Sequence, residues 1–336
     1  MTNNYDFIAI GDITTDAFIR LKTPAAHIDI DKGKREIAMS FAAKIPYEEV
    51  YVVPGVGNSP NAAVGASRLE LKTALVSDLG DDYFGEECLK VFKEEGVGTE
   101  FIKIHKGTKT NYHYVLWFDD DRTILTKHQK YARQLPDFDD PKWVYLSSLG
   151  EDALAWHKVL TDFLNKHPEI NLAFQPGGYQ IAASKELGGL YKRSKAVIVN
   201  KEESQLILGN ETDDIKKLLQ GMKELGPEIA VITDGVKGAY AADGDPSTGS
   251  GQGFWYMPPY PDPKPPLERT GAGDAFSSTF VAALCMGMSV VEALRWAPIN
   301  SMSVVQYVGA REGLLTKEKI EEYLAKAPKD YEPRKL

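Results

Sequence analysis

Residues 268–280, ERTGAGDAFSSTF, place three small residues directly before a single carboxylate, Asp274. Gly271, Ala272 and Gly273 let the backbone come close to a ligand, and an apolar helical pattern begins behind them. The first N–H groups of a helix have no partners within it, so they bind anions readily. The segment therefore predicts a carboxylate base beside a phosphate-binding turn, although helix capping by Asp274 explains the same pattern without chemistry.

A second turn before a helix, GVGNSPNAA, carries Gly57, Asn58 and Asn61 ahead of a run of small residues. Amide side chains both donate and accept hydrogen bonds, which suits a ligand with neutral hydroxyl groups. Neither this turn nor IGDITTDAF near the start supplies a complete dinucleotide fingerprint, so a nucleotide-dependent oxidoreductase is not favoured. An asparagine-capped helix explains the turn equally well, and both interpretations stay open.

Two further motifs could hold phosphates and their counter-ion. VNKEES places Asn200 and Glu203 one helical turn apart at a strand end, where they can hold a hydrated Mg²⁺ or form a capping box. TDGVKG gives Thr233, Gly235 and Gly238 in a turn whose N–H groups can cradle a nucleotide, although a bare hairpin turn would look similar. The histidines show no metal-ligand spacing, and we interpret His105, His113 and His128 as surface or core residues.

These motifs lie between short strands and helices that alternate along the chain. The alternation predicts an α/β fold, with a mostly parallel central sheet and helices on both faces. Ligands in such folds bind at the carboxyl ends of strands, where Asp12, Asp78, Asn200 and Asp234 are expected. The predicted strands are 7–10, 73–78, 143–148, 171–175, 196–200 and 229–234, and the predicted helices include 61–69, 84–92, 153–164 and 215–225.

Two segments, 17–53 and 101–131, interrupt the alternation with extended, aromatic and β-branched sequence. They predict a small antiparallel sheet, separate from the main one, within a single domain over residues 1–336. The small sheet could close over the active site as a lid, form a homodimer contact, or be an insertion without function. A short strand at FWYM is expected within the Gly/Pro-rich loop of residues 243–268.

Bulk composition excludes several classes of protein. The net charge of -9, without a dense basic stretch, argues against a nucleic-acid partner. Two cysteines offer neither a disulfide framework nor a thiolate metal cluster. Because the sequence shows no signal peptide and no segment of membrane-spanning length, we expect a cytoplasmic protein without a membrane partner.

In their order along nearly the whole chain, IGDITTDAF, GVGNSPNAA, VNKEES, TDGVKG and TGAGDAF resemble the motifs of the ribokinase-like, or PfkB, carbohydrate kinases. The resemblance implies transfer of the γ-phosphoryl group of ATP, with Mg²⁺, to a hydroxyl of a small sugar. Asp274 would be the catalytic base, and the N–H groups of Gly271, Ala272 and Gly273 would form the anion hole. By the same resemblance, sugar binding falls to Asp12, Thr14, Asp16, Gly57, Asn58 and Asn61, nucleotide binding to Asn200, Thr233, Gly235, Gly238 and Asn300, and Mg²⁺ binding through water to Glu203.

The chain departs from the family pattern at three places. Glu268 and Arg269 replace residues that often accompany a bound monovalent cation, which predicts activity independent of potassium. Val56 and Gln175 change the surroundings of the pocket, so the substrate cannot be inherited from the family. A ribose- or fructose-type sugar is our first expectation and a nucleoside the second, and a non-catalytic sugar or nucleotide sensor is the alternative from a different class.

Overall fold

The structure, a computed structural model, describes residues 4–22, 26–31, 34–119, 121–244 and 253–336. Its strands, in chain order, are β1 (Phe7–Ile10), β2 (Thr14–Leu21), β3 (Ala26–Asp31), β4 (Lys34–Met39), β5 (Tyr47–Val56), β6 (Thr73–Gly80), β7 (Ile102–His105), β8 (Asn111–Phe118), β9 (Asp121–Leu125), β10 (Trp143–Leu146), β11 (Asn171–Phe174), β12 (Ala196–Asn200), β13 (Ile229–Thr233), β14 (Ala239–Asp243), β15 (Gly253–Met257) and β16 (Arg334–Lys335). The α-helices are α1 (Asn58–Arg68), α2 (Tyr83–Glu94), α3 (Leu154–Lys166), α4 (Gly178–Ala182), α5 (Gly188–Arg193), α6 (Lys201–Leu208), α7 (Ile215–Glu224), α8 (Ala272–Cys285), α9 (Val290–Val304) and α10 (Lys317–Ala325).

The main sheet runs in the order β16-β15-β14-β13-β12-β11-β10-β1-β6-β7. The strands from β13 to β7 in this order are parallel, and β14, β15 and β16 add an antiparallel edge. Helices connect most of the parallel strands, as crossovers between parallel neighbours require. All six predicted strands are present, and β1 and β12 have the predicted bounds.

Residues of β1 alternate between two hydrophobic cores on opposite faces of this sheet. Phe7 and Ala9 pack in the core that contains residues of α1, α8 and α9, whereas Ile8 and Ile10 pack in the core that contains residues of α3 and α7. All four side chains are at most 1% exposed. A parallel strand buried on both faces reads as a continuous apolar run, which is why FIAI was recognisable from sequence. The predicted α/β fold, with helices on both faces, is confirmed.

A smaller sheet of four strands, in the order β5-β2-β8-β9, lies beside the main one. Its outer pairs, β2 with β5 and β8 with β9, are antiparallel as expected, and its central pair β2 with β8 is parallel. The strands β3 and β4 form a separate hairpin. Strand β2 begins only four residues after the end of β1, so the four-stranded sheet starts at the carboxyl edge of the main sheet.

One predicted boundary was wrong. Residues 101–131 were expected to belong entirely to the small sheet, but β7 pairs in parallel with β6 and forms the edge of the main sheet. The sequence of β7, IKIH, alternates apolar and polar residues, and this pattern suits an edge strand of either sheet. In the described ranges, no helix is long and apolar enough to cross a membrane.

Candidate active site

The turn before α8 has the backbone conformation that its small residues predicted. Gly271 is the residue before the helix and adopts a left-handed conformation, with φ of 82°. A Cβ atom added at Gly271 would lie 2.3 Å from the Cβ of Ala310, so a side chain here would clash as well as strain the backbone. Gly273, in the first turn of α8, has open space around it. The first N–H groups of this 14-residue helix therefore face a space that a ligand can enter.

Asp274 is held by three amide side chains that converge on its carboxylate. Oδ1 accepts hydrogen bonds from Asn58 Nδ2 at 2.8 Å and from Gln175 Nε2 at 3.2 Å, and Oδ2 accepts one from Asn61 Nδ2 at 2.9 Å. Burial raises the pKa of Asp274 above its usual value, although the amide hydrogen bonds and the charge of Arg122 oppose the rise. The carboxylate caps no helix N–H group, so the capping interpretation does not account for it.

Close packing of α1 against α8 brings these amides to Asp274. The first turn of α1 contains Asn58 and Asn61, and the rest of the helix consists largely of small residues. A Cβ atom added at Gly65 would lie only 3.0 Å from Ser278 Oγ on α8, which shows how near the two helices come. The small residues of GVGNSPNAAVGA thus have a packing role that holds its asparagines beside Asp274.

Asp274 opens into a cavity of about 420 Å³, called the polar cavity below. Strands of the four-stranded sheet form one wall, and the turns around α1 and α8 form the other. Five of the six predicted sugar-binding residues line it, as do both residues of the VNKEES motif. Its polar lining includes Thr14, Asp16, Gly57, Asn58, Asn61, His113, Arg122, Thr126, His128, Ser148, Gln175, Asn200, Glu203, Thr233, Arg269, Thr270, Gly271, Gly273, Asp274 and Ser277.

Several polar atoms of residues that line the polar cavity are buried and lack hydrogen-bond partners within the described residues. They include Asn61 Oδ1, Asp16 Oδ1, His113 Nε2 and Arg122 Nε, although Asp16 Oδ1 lies 3.4 Å from His113 Nδ1. Buried polar groups in folded proteins are nearly always satisfied, by the protein or by a ligand or water. Acceptors and donors gathered in this way fit a small ligand rich in hydroxyl groups.

A second cavity of about 290 Å³, called the apolar cavity, adjoins the polar one. The turn between β13 and β14 contributes Gly235 and Gly238, both with positive φ, while Thr233 and Gly273 line both cavities. Two ligands bound in the two cavities would therefore meet at the start of α8. The rest of the wall is mainly apolar and includes Val236, Ala239, Pro259, Tyr260, Pro266, Phe276, Pro298, Met302 and Val305.

Asn200 and Glu203 form the capping box that was one of the two interpretations. Asn200 Oδ1 accepts from the Glu203 N–H, and Glu203 Oε2 accepts from the Asn200 N–H, both at 2.8 Å. Glu203 also lines the polar cavity, and its Oε1 makes no hydrogen bond within the described residues. Burial raises the pKa of Glu203, and the charge of Asp274 raises it further. A cation beside Glu203 would relieve both effects, and carboxylate oxygen is a ligand that Mg²⁺ prefers.

Asp12 does not line the polar cavity, contrary to the prediction. Its Oδ1 pairs with Arg133 at 2.8 Å, and its Oδ2 lies 3.2 Å from His128 Nδ1 and accepts from the Gly150 N–H at 2.8 Å. Both oxygens are therefore used inside the protein. The sequence placed Asp12 correctly at the end of β1, but it could not indicate which buried partners the carboxylate would meet.

Asn300 was also misassigned, because it lies outside the apolar cavity. Its Nδ2 donates to Thr279 Oγ1 at 2.8 Å, and its Oδ1 accepts from the Leu315 N–H at 2.9 Å, so the fully buried amide ties α9 to α8. The cavity is lined instead by Pro298, Ser301 and Met302 from the same helix. A motif places a helix near a ligand, but which face of the helix turns toward the ligand depends on packing.

Three residues of the polar cavity with ionisable side chains were not predicted as site residues from the sequence. Arg122 lies on β9, His113 on β8 and His128 shortly after β9. The histidines were interpreted as surface or core residues because nothing in their spacing marks a site. The extended text of residues 101–131 was the available signal, since polar residues on a sheet beside an active face are candidates for ligand contact.

Glu268, at which the sequence departs from the family pattern, is buried between two loops. It is 1% exposed, and its two oxygens accept from the N–H groups of Thr270 at 2.7 Å and Gly309 at 2.9 Å. Burial raises its pKa, and these hydrogen bonds oppose the rise. The carboxylate thus joins the loop before α8 to the loop after α9 through hydrogen bonds from two backbone N–H groups.

Comparison with known proteins agrees with this geometry. A family model described as pfkB family carbohydrate kinase matches residues 47–317. The chain belongs to this family. Among PfkB relatives, ribokinase of Bacillus subtilis is 26% identical over 283 residues, which cover 81% of this chain and 88% of that protein. The 5-dehydro-2-deoxygluconokinase of Clostridium perfringens is 25% identical over 304 residues, covering 82% and 86%.

Solved structures of the PfkB kinases share the fold over nearly their whole length. Ribokinase from Cryptococcus neoformans in complex with ADP has a TM-score of 0.75 at 20% identity, with 95% of this chain and 99% of that chain covered. The nucleoside kinase of Methanocaldococcus jannaschii has a TM-score of 0.75 at 16% identity, with 96% and 99% covered. The protein is thus a carbohydrate kinase of the PfkB family, a phosphotransferase that acts on sugar hydroxyls.

Proposed function

We propose that the protein transfers the γ-phosphoryl group of ATP to a hydroxyl of a small sugar of the ribose or fructose type, with Asp274 as the base. The observation that carries the proposal is the position of Asp274, which is buried beneath the polar cavity and held by three amide donors at the start of α8. Burying an ionised carboxylate costs folding free energy, and a site that only binds sugar does not need one at that point.

Asp274 would accept the proton of the attacking hydroxyl. Its Oδ1 and Oδ2 are oriented by Asn58, Gln175 and Asn61, and its raised pKa makes it a better base than an exposed aspartate. Each carboxylate oxygen has two lone-pair directions, so Oδ2 can accept from the sugar while it retains the hydrogen bond from Asn61.

The start of α8 would bind the negative charge on the transferring phosphoryl group. The N–H groups of Gly271, Ala272 and Gly273 lie at the positive end of the helix, beside both cavities. Arg122 brings a second positive charge from the four-stranded sheet, near enough to Asp274 to affect its pKa. Phosphoryl transfer depends mainly on positioning and charge stabilisation, and the start of α8, Arg122 and Asp274 would supply both.

The apolar cavity would hold ATP, with Thr233, Gly235 and Gly238 along its phosphates. Its apolar wall and its junction with the polar cavity at Gly273 support this assignment, as does the ADP in the related ribokinase structure. Glu203 Oε1 would hold Mg²⁺ through water, with Asn200 fixing the carboxylate. The ion would supply positive charge to the phosphates.

The four-stranded sheet would serve as a lid and as the contact between two copies of the chain in a homodimer. It contributes Asp16, His113 and Arg122 to the polar cavity, while its other surface exposes large apolar side chains. Such a patch fits a partner rather than solvent, and a second copy offers a matching patch. The exposed residues on that surface are Tyr47, Val50, Val52, Tyr114 and Leu125. Light scattering should give twice the mass of one chain, and Val52→Glu should halve it.

A nucleoside is the second candidate for the acceptor. The nucleoside kinase of M. jannaschii shares the fold, and a polar cavity of about 420 Å³ leaves room for more than a pentose. The relatives named ribokinase favour the simple sugar. A non-catalytic sensor would not need Asp274.

ADP release from Mg-ATP, measured against ribose, fructose, ketodeoxygluconate, adenosine and cytidine, tests the proposal. We expect one strong acceptor of the ribose or fructose type. Strong activity only with adenosine or cytidine would replace the sugar by a nucleoside. Detectable binding of a sugar without turnover by any acceptor would favour the sensor.

A further inference from the structure

A buried cluster of charges lies behind the polar cavity and centres on Arg133. Its guanidinium lies 2.8 Å from Asp12, 3.2 Å from Asp78 and 3.5 Å from Asp152. The side chain of Arg133 is 5% exposed, and those of Asp12 and Asp78 are 8% exposed. Burying so many charges is costly unless they hold each other in place, and here they join the ends of β1 and β6 to the segment after β9.

Two histidines extend this cluster in different directions. His128 Nδ1 lies 3.2 Å from Asp12 Oδ2, and His128 lines the polar cavity. His105 Nε2 lies 2.6 Å from Asp78 Oδ1, but His105 lines neither the polar nor the apolar cavity. The two pairs are alike in chemistry and burial, and only one of them reaches the site.

The pairing with Asp12 fixes the chemistry of the His128 ring. Burial alone would raise the pKa of Asp12, but the hydrogen bond from His128 and the charge of Arg133 hold it below its usual value. An ionised carboxylate can only accept, so His128 donates from Nδ1, and Nε2 is left for a ligand. Within the described residues, Nε2 makes no hydrogen bond.

Packing holds the ring in one orientation. The rings of His113 and Tyr179 lie edge-on to His128, with centroids 5.5 Å and 5.6 Å away. Because Asp12 fixes Nδ1 and the neighbouring rings fix the plane of the imidazole, Nε2 can form a hydrogen bond to a ligand in the polar cavity only in one direction.

We propose that His128 is a specificity residue whose Nε2 binds one hydroxyl of the acceptor, and that Asp12 and Arg133 are positioning residues for it. This inference rests on the proposed kinase function, because the same polar cavity receives the acceptor. A site built to bind a hydroxyl rejects an analogue that lacks it, so His128 selects for one particular hydroxyl of the sugar.

The test compares His128→Asn with His128→Gln and with His105→Asn. Asparagine can place an amide near Nδ1, where it still pairs with Asp12, but it does not reach Nε2, whereas glutamine does. We expect His128→Asn to raise KM for the best acceptor about tenfold, with kcat and KM for ATP nearly unchanged. His128→Gln should recover part of the loss, and His105→Asn, the matched control, should change neither constant.

Deoxy analogues of the best acceptor give a second readout that loss of structure would not produce. One analogue should bind about tenfold more weakly to the wild type, and His128→Asn should bind it as well as it binds the complete acceptor. Equal losses in His105→Asn and His128→Asn, or no analogue with this behaviour, would overturn the proposal.

Acceptor binding measured by calorimetry without nucleotide separates this proposal from the kinase assignment. Weaker binding in His128→Asn, in a wild type that binds sugar but releases no ADP, would support the role of His128 while refuting the kinase function. If the wild type phosphorylates a sugar and His128→Asn has no effect on sugar binding, the kinase function would be supported and the role of His128 refuted. Failure to bind any acceptor would overturn both.

Discussion

Replacement of Asp274 by asparagine should lower turnover about 10³- to 10⁴-fold and leave the fold intact. The loss of a general base costs about 10²–10⁴ in rate, and we expect the upper half of that range because no other carboxylate occupies this position. A loss of about 10³ corresponds to about 4 kcal/mol of transition-state stabilisation. Sugar binding should persist, since the amide is close in shape to the carboxylate.

The same substitution should make the protein slightly more stable at neutral pH. The pKa of Asp274 is raised in the folded state, so its ionised form destabilises the fold by about 1.4 kcal/mol for each unit of the rise. Asparagine removes this cost. Its NH₂ group could take the place of Oδ2, which now accepts from Asn61 Nδ2, and two donors would then face each other unless Asn61 turned. Asn61 can turn its amide over, because its Oδ1 is buried without a partner. For a chain of this length, each kcal/mol of stability gained raises Tm by about 1–2 °C.

The sign of the pH dependence follows from the raised pKa. Below the unfolded-state pKa both proteins carry a neutral side chain at 274, and their stabilities should agree. As pH rises through the folded-state pKa, the wild type loses stability relative to Asp274→Asn, so the difference in Tm should appear and then level off. The acid limb of wild-type kcat/KM should fall as pH falls through the same folded-state pKa.

The assay combines ADP release, calorimetry with the acceptor, and thermal melts of both proteins across this pH range. Near-normal turnover by Asp274→Asn would refute the base assignment. A Tm for Asp274→Asn well below that of the wild type at neutral pH would refute the account of a costly buried carboxylate.

Three further predictions concern the loops around the site. Gly271→Ala should lower stability by about 1–3 kcal/mol, because φ at Gly271 is 82° and the new Cβ would meet Ala310. Gly273→Ala has open space around it, so this variant should have the Tm of the wild type but lose turnover, because its Cβ lies where the two cavities meet. Equal Tm values for the two variants would contradict this. Wild-type rates should be the same in sodium and in potassium, and strong activation by potassium would refute a loop held by Glu268 alone. Glu268→Gln should lower stability by about 1–3 kcal/mol, because one backbone N–H would then face the NH₂ group of glutamine. Glu203→Gln should raise the Mg²⁺ concentration needed for half-maximal rate, and an unchanged Mg²⁺ titration would remove Glu203 from the metal site.

The sequence predicted the parts of the fold that depend on local pattern. Strands buried on both faces, such as FIAI and AVIVN, could be placed to the residue, because parallel strands of this kind read as continuous apolar runs. Strand β7 was misplaced, since four alternating residues carry no information about which sheet they join. The parallel pairing of β2 with β8 was likewise beyond local pattern, because it joins segments far apart in sequence.

The candidate site divides in the same way. The sequence placed Asp274, Asn58 and Asn61 at the starts of two helices, where the structure has them, because glycine turns before helices limit where such side chains can lie. Asp12 and Asn300 were misassigned, because their buried partners come from distant segments: Arg133 and His128 for Asp12, Thr279 and Leu315 for Asn300. The same long-range packing brings Arg122, His113 and His128 to the polar cavity, and no spacing in the sequence encodes it.

Phosphorylation of a sugar hydroxyl by this chain, with Asp274 as the base, can be followed through its product. The most direct measurement is phosphorus NMR of a reaction with Mg-ATP and the best acceptor, run in parallel with wild type and Asp274→Asn. We expect one new sugar phosphomonoester for each ADP formed by the wild type, and no detectable phosphomonoester from the variant in the same reaction time. Inorganic phosphate as the only product of the wild type, or the same phosphomonoester signal from both proteins, would contradict it.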